Sequence, residues 1–394
     1  MKLSYKYRLY PNRRQNEALG EMLYWFCQLY NAGLQQRIEA YRRRAVSLTY
    51  KTQADELKLL RTEVPELGNY SFSAEQQVLR RLNKTFTAFF GRVKRGAKAG
   101  FPRFKASARF HAADFRFGDG LTMKSGHRLS ILGVSGLVKV KWHRDWPKDA
   151  TCGSAIITRQ AGKWSVVFQL DVPDVHSVVG PETVGVDAGL SALVATSDGA
   201  LVERPRWTKT AAKGLRKRQR AVSRSRKPNL RSKRRKKAKE RLAAYSRRVA
   251  NRRADYLHKL AASIVARYDR IAVEELNIQG LARSMLAKDV LDAAWGQLMS
   301  LIAYKAERAG KLMVKVDPRG TSQECPCCGA RVEKTLADRV HRCPDCGLVE
   351  DRDVAAANVV EFRAFGHNRV RPGSGLRTPS RRGAAELVRE AVGF

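Results

Sequence analysis

Residues 2–10 alternate. Leu3, Tyr5, Tyr7 and Leu9 fall on one face, and Lys2, Ser4, Lys6 and Arg8 on the other. A period of two predicts a strand with one buried face. Pro11-Asn12 breaks it, and Asn12 with Gln15 three residues later has the form of a capping box. The period then becomes helical, with Leu19, Met22, Leu23, Phe26, Leu29 and Tyr30 on one stripe. Residues 13–95 read as mostly helical, with a break near 65–70. A second amphipathic helix carries Val78, Leu79, Leu82, Phe86, Phe89 and Phe90. The word Gly-Phe-Pro-Arg-Phe-Lys, ending at Lys105, closes this block. Between 105 and 180, β-favouring runs at 129–134, 137–142, 155–158 and 164–170 are separated by turn residues. They predict a small antiparallel barrel or sandwich. The first strand is assigned to it, which makes the helical block at 11–104 an insertion.

Beyond 181 the pattern changes. Runs at 184–187, 192–196 and 201–203 predict a three-stranded meander. A long basic helical stretch follows at about 209–268. Then come a strand at 270–274, a helix at about 289–310 and a strand at 312–316. A cysteine-rich ribbon occupies 321–347. Residues 348–365 hold a helix that starts near 353. Residues 366–394, rich in Arg, Gly, Pro and Ser, predict a disordered basic tail.

Charge narrows the partners. The 394 residues carry 76 Lys or Arg against 37 Asp or Glu, a net charge of +39. Polyphosphate is the natural counterpart. A membrane is the competing one, but no apolar run approaches the roughly 20 residues that a spanning helix needs. The alternating N-terminus is not a signal core. The charge is densest between Lys213 and Arg253, with twenty basic residues and one acid, Glu240. Like charges so crowded repel, and phosphates would relieve them with release of counterions. Arg216, Lys217, Arg218, Arg220 and the run Lys233, Arg234, Arg235, Lys236 and Lys237 are the candidate nucleic-acid contacts. Tyr50, Phe101, Phe104, Phe115 and Phe117 lie among basic residues. Such rings can stack on bases, although core packing is the default role.

Four of the seven cysteines make two Cys-x2-Cys pairs, Cys325 with Cys328 and Cys343 with Cys346. Each pair is followed by Gly, and fourteen residues separate them. This spacing predicts one structural zinc held by four thiolates, with no open position for catalysis. Cys327 reads as a bystander and His341 falls outside the ligand spacing. Cys27 and Cys152 are isolated, so there is no disulfide framework.

Three carboxylates stand at element ends. Asp187 ends the apolar run Val-Gly-Val, Glu274 ends Ile-Ala-Val, and Asp353 begins a helix. Adjacent strand ends and a facing helix start would converge them. Close carboxylates repel unless Mg²⁺ or Mn²⁺, here expected as two ions, binds among them. Asp351 reads as a helix cap or surface acid, Glu275 as pointing away from Glu274, and Asp292 as a helix N-terminus.

In order and spacing these words resemble the TnpB family, RNA-guided nucleases of bacterial insertion sequences related to the type V CRISPR effectors. The resemblance runs through Tyr7-Arg-Leu-Tyr-Pro-Asn12, Gly100-Phe-Pro-Arg-Phe104, Val184-Gly-Val-Asp187-Ala-Gly, Val273-Glu274-Glu-Leu-Asn277, the ribbon entry at Thr321 and Asp351-Arg-Asp353. It implies an α/β RNase H-like (RuvC) nuclease domain at 181–320 and 348–365. The zinc ribbon would be inserted at 321–347. A small β-barrel (wedge) domain would be formed by 1–10 and 105–180, with the helical recognition insertion between. It implies a guide RNA from the transposon end, double-stranded target DNA beside a short adjacent motif, and a monomeric, cytoplasmic, nucleoid-associated ribonucleoprotein. By motif position, Asp187, Glu274 and Asp353 would be the catalytic metal ligands, and Tyr50 and Gln76 would read the adjacent motif. The family's third motif has Asn two residues after its Asp, where this chain has Ala355. Two alternatives remain open at this point: a nuclease-inactive guided repressor, and a transposase performing strand transfer with the same fold.

Overall fold

The alternating N-terminal segment forms a central strand. In this computed structural model β1 (Lys2–Tyr10) buries Leu3, Tyr5, Tyr7 and Leu9, as a half-buried strand should. The structure describes residues 1–174, 179–225, 232–335 and 337–366. The chain divides into two units, Met1–Pro173 and Asp174–Phe394. The expected disordered tail lies almost wholly outside the described residues.

In the first unit the helices α1 (Arg13–Arg44), α2 (Tyr50–Glu63), α3 (Pro65–Gly68) and α4 (Phe72–Lys94) follow β1. Both arms of the capping box form at Asn12 and Gln15. The Gln15 amide also donates to the carbonyls of Ser135 and Leu137, which fixes the start of α1 on the sheet. The α1 stripe buries Leu19, Met22, Phe26 and Tyr30 completely, at about 1.5–3 kcal/mol for each large apolar side chain. Six strands follow: β2 (Ala112–Arg116), β3 (Leu121–Lys124), β4 (Arg128–Ile131), β5 (Val134–Lys141), β6 (Thr151–Gln160) and β7 (Lys163–Asp171). They pair with β1 in one sheet of order β2-β6-β7-β1-β5-β4-β3. The first strand thus sits mid-sheet between β7 and β5, antiparallel to both. The sequence pattern did not predict β2 and β3. Phe115 is buried in β2, in the core role that was the default for these rings.

The second unit holds β8 (Thr183–Asp187), β9 (Ala192–Thr196), β10 (Leu201–Glu203), the helices α5 (Trp207–Arg224) and α6 (Lys233–Arg267), and β11 (Arg270–Glu274). Next are α7 (Ile278–Leu281), α8 (Ala287–Ala293), α9 (Trp295–Arg308) and β12 (Leu312–Val316). The short strands β13 (Val340–Arg342) and β14 (Val349–Asp351) pair with each other in the ribbon, and α10 (Arg352–Phe365) follows. The five-stranded sheet has order β10-β9-β8-β11-β12. Its meander half is antiparallel, and β8, β11 and β12 run parallel. Parallel neighbours β8 and β11 therefore end side by side. The single helix expected at 289–310 is two. Ala294 takes a left-handed φ of 56° and breaks it between α8 and α9.

The candidate active site and metal centre

Asp187 is the last residue of β8 and Glu274 the last of β11. The parallel register sets Val186 opposite Val273, so the next residues on the two strands are these two acids. Their carboxyls are close enough to perturb each other's ionisation. Asp353 comes from the first turn of α10. What lets that helix reach the strand is Gly185. A Cβ there would stand 1.9 Å from the Ala357 carbonyl oxygen and 2.8 Å from the Glu361 nitrogen, so only glycine fits under α10. Thr183 Oγ1 bonds the Glu361 carboxylate and fastens the same face.

Electrostatics marks the three acids as one group. Burial, then the charges of Glu274 and Asp353, raise Asp187 well above the ordinary carboxylate range. Burial also raises Glu274, against hydrogen bonds from Thr321 and Asp187 and the charge of Arg363. Burial and then Asp351 raise Asp353, against Arg339 and Arg352. Asp187 and Glu274 thus both give up their protons less readily than exposed carboxyls. A cluster of close, buried carboxyl oxygens that repel one another when charged suits a hard divalent cation. Among the described residues, the cysteines are the only group whose ligand atoms all lie within 4.8 Å of one another; the carboxylates are a looser set.

Asp351 has another job. Its Oδ1 accepts from the backbone N–H groups of Asp353 at 2.9 Å and Val354 at 3.3 Å, capping α10. A side-chain oxygen engaged at the helix N-terminus fixes the first turn that carries Asp353. Glu275 is exposed beside Lys315, away from the pair. Asp292 corrects the reading of the sequence. It does not start a helix but lies near the end of α8. Its carboxylate accepts from the N–H of Thr208 at 3.1 Å and from its hydroxyl at 2.6 Å, so it caps α5 from across the unit.

Thr321 is a contact to the acidic cluster that pattern reading passed over. Its hydroxyl donates to Glu274 Oε1 at 2.6 Å from a buried position at the ribbon entry. Arg363 on α10 donates to the carbonyls of Asp317 and Arg319 and pairs with Glu324 at 2.7 Å. Arg352 holds the ribbon exit through the carbonyls of Thr335 and Asp338. The ribbon is therefore fastened to the acidic site at both ends.

Within the ribbon the four expected thiols converge. Cys325 Sγ is 3.6 Å from Cys346 Sγ, and Cys328 Sγ is 3.5 Å from Cys343 Sγ. Four sulfurs at the roughly 2.3 Å zinc–sulfur length would stand about 3.8 Å apart, so the set fits one tetrahedral ion. The two turns are built alike. Cys325 N–H donates to Ala330 O and Gly329 N–H to Cys325 O, and Cys343 with Leu348 and Gly347 repeats the pattern. Gly329 and Gly347 have φ of 80° and 71°, which explains the glycine after each pair. Burial raises the Cys346 thiol, but hydrogen bonds from the Leu348 N–H and neighbouring cysteines outweigh it and hold the group down to about 7. Cys327 stays outside the four. His341 is buried in β13, held down to about 4 by burial and by Lys334, whose Nζ it contacts.

The basic candidates lie on two packed helices. Arg216, Lys217, Arg218 and Arg220 are on α5, and Lys233, Arg234, Arg235, Lys236 and Lys237 open α6. Residues 226–231 between them are outside the described residues. Arg218 lies over the Tyr245 ring at 4.0 Å. A cleft of about 550 Å³ between the helices is lined by Lys217, Arg218, Arg241 and Arg248, with no acid. In the first unit, Tyr50 starts α2 under Arg80, whose Nε donates to its hydroxyl at 2.9 Å. Gln76 is half-buried on α4.

Three family models match the chain. One described as "Cas12f1-like, TNB domain" covers 295–360, one described as "Probable transposase" covers 168–285, and one described as "Helix-turn-helix domain" covers 1–45. The last stretch folds here as one strand and one long helix. Proteins named "Putative RNA-guided DNA endonuclease" are similar over most of the chain. That of Streptomyces pristinaespiralis is 31% identical over 363 residues, spanning 91% of this chain and 88% of its own. InsQ of Escherichia coli K12 is 27% identical over 325 residues, spanning 78% and 77%. The Cas12f1 protein solved with sgRNA and target DNA is similar in fold, with a TM-score of 0.57 at 13% identity over 89% of this chain and 83% of that one.

Proposed function

Starting from a chain that belongs to the TnpB family of RNA-guided DNA endonucleases, we propose that it hydrolyses target DNA at Asp187, Glu274 and Asp353. In this reading the five-stranded sheet with α10 is the RuvC-like nuclease and the seven-stranded sheet is the wedge. The α1–α4 block is the recognition insertion, with Tyr50 and Gln76 facing the motif beside the target. A guide RNA from the transposon end selects the target, and a single protein copy carries it. The convergence of Asp187 and Glu274 on adjacent parallel strand ends, opposite the start of α10, carries the proposal. Ligand sites of open α/β sheets form at such carboxyl edges.

Asp187, Glu274 and Asp353 would hold Mg²⁺ or Mn²⁺. Such ions, when bound, activate a water and stabilise the leaving oxygen of a phosphodiester. The chain's own residues do the rest. Thr321 orients Glu274 and favours its charged form. Asp351 fixes the first turn of α10, and Gly185 admits that helix to the strand. The arginines and lysines of α5 and α6 neutralise backbone phosphates. The four cysteines would hold a structural zinc and so keep Thr321 and Arg352 in register with the site.

The test is to purify the protein from cells carrying its native locus, sequence the bound RNA, and present a plasmid with the matching target in Mg²⁺. A discrete RNA and cutting that needs it are expected, with cutting lost in Asp187→Ala and Glu274→Ala. Absence of a discrete RNA, or guided cutting that survives either substitution, overturns the proposal.

A further inference from the structure

Aromatic rings interleaved with basic residues occur at several places in this sequence, and the structure separates them by exposure. Phe115 is 1% exposed and belongs to the core. Phe101, Phe104 and Phe90 are 50%, 53% and 56% exposed and gather in one place. Phe101 meets Phe86 and Phe89 edge to face at 5.8 and 5.4 Å, and Phe89 meets Phe90 at 5.1 Å. These rings line a cleft of about 610 Å³ between the ends of α1 and α4 and the segment after α4. Its wall also holds Arg37 and Arg42 and no acid. Arg37 is nearly buried. Its Nε donates to Gln53 at 2.8 Å and its Nη2 to Asn83 at 3.2 Å, with its guanidinium over the Phe86 ring at 5.0 Å. The wall is thus set before anything binds. The rim is basic throughout: Arg42, Arg43 and Arg44 end α1, and residues 92–105 carry six Lys or Arg and no acid.

An exposed apolar patch of this kind marks a binding surface. Its charge selects a polyanion, and its rings select one with open π-faces. Duplex DNA offers phosphates but keeps its bases stacked. An unpaired strand offers both. A guide RNA is also held for the life of the complex, whereas target DNA visits it, so the guide is the occupant that keeps such a patch covered.

We propose that the Phe86–Phe90–Phe101–Phe104 cleft seats unpaired bases of the guide RNA, stacked on its exposed rings while Arg42 and its neighbours hold the phosphates. This rests on the reading that the chain carries a guide RNA.

The test uses the full protein with the RNA that co-purifies with it. Ultraviolet cross-linking and peptide mass spectrometry of the wild type should place nucleotide adducts on Phe101, Phe104 or Phe90. Phe101→Ala/Phe104→Ala should bind that RNA at least about fivefold more weakly, the factor for losing one base stack of about 1 kcal/mol. Phe101→Trp/Phe104→Trp should restore binding. Both rings are half exposed, so the core is spared. Unchanged RNA affinity in the Ala variant, with guided cutting intact, overturns the cleft assignment and leaves the nuclease reading standing. A wild-type dimer that the Ala variant dissolves, seen by light scattering, gives the cleft to a second copy and also overturns it. A wild type that carries no RNA overturns the nuclease reading and this one with it.

Discussion

Gly185→Ala places the sharpest demand on this account. The added Cβ would stand 1.9 Å from the Ala357 carbonyl oxygen. Real Cβ contacts begin near 3.0 Å, so α10 must retreat by about 1 Å or tilt. Both neighbours are helix backbone, so no flexible side chain can absorb the change. Overpacking of this size costs about 1–3 kcal/mol, a fall in the thermal midpoint of roughly 2–10 °C for a unit this large. Asp353 rides one turn above Ala357 on the same helix. A shift of about 1 Å at a reacting centre can cost on the order of 100-fold in rate. Single-turnover guided cleavage should therefore slow by about 100-fold, while RNA binding and zinc content stay at wild-type levels. Gly91→Ala on α4 is the control. Nothing lies within 4 Å of its Cβ, so it should gain about 0.5–1 kcal/mol and cut normally. A Gly185→Ala protein that cuts at the wild-type rate refutes the argument that α10 positions the third carboxylate.

Other outcomes follow from single contacts. Thr321→Val removes the bond that favours the charged form of Glu274, so half-saturation should need more Mg²⁺ and the acid limb of the pH–rate profile should move to higher pH. Because burial raises both Asp187 and Glu274, a cation must compete with protons for them, so Mg²⁺ affinity should also rise with pH in the wild type, as titration by calorimetry at several pH values would show. Cys343→Ser should lower zinc from one ion per chain towards none by elemental analysis and slow cleavage through Thr321 and Arg352, whereas Cys327→Ser should keep the ion. Burial pushes Glu75, with one oxygen on Arg61 at 2.6 Å and the other unpartnered, from 4.5 up to about 7. Its folded value exceeds its unfolded one, so its contribution is full below about 4.5 and is lost as pH rises through about 7. Glu75→Gln should remove that loss, on the order of 3 kcal/mol, in thermal melts between pH 5 and 8.

Much of this was legible in the residues because it depends on period or spacing. The alternation of 2–10, the capping box at Asn12 and the two cysteine turns each encode their geometry locally. The placement of Asp187 and Glu274 at the ends of neighbouring strands was legible because each ends an apolar run. What escaped depends on contacts between distant segments. Nothing near Thr321 announces that its hydroxyl reaches Glu274, 47 residues away in sequence. Gly185 reads as one glycine among many until α10 is laid across it. The motif contains both Asp351 and Asp353, and its position favours Asp353; the cap hydrogen bonds of Asp351 add a geometric reason for that preference. Asp292 was read as opening its own helix because local pattern cannot show a carboxylate capping a helix 84 residues back in sequence. The strands β2 and β3 are short and polar on one side, and their pairing with β6 and β4 supplies what their composition lacks.

The central claim is that Asp353 acts with Asp187 and Glu274 while Asp351 only holds the helix. It meets its most direct test in single-turnover cleavage of a matched target by RNA-loaded Asp353→Asn and Asp351→Asn, with target binding measured on the same samples. Asn is a good cap, so Asp351→Asn should bind and cut. Asp353→Asn should bind the target and yield no cut product. Cutting by Asp353→Asn, or its loss in Asp351→Asn with the thermal midpoint unchanged, would contradict the account.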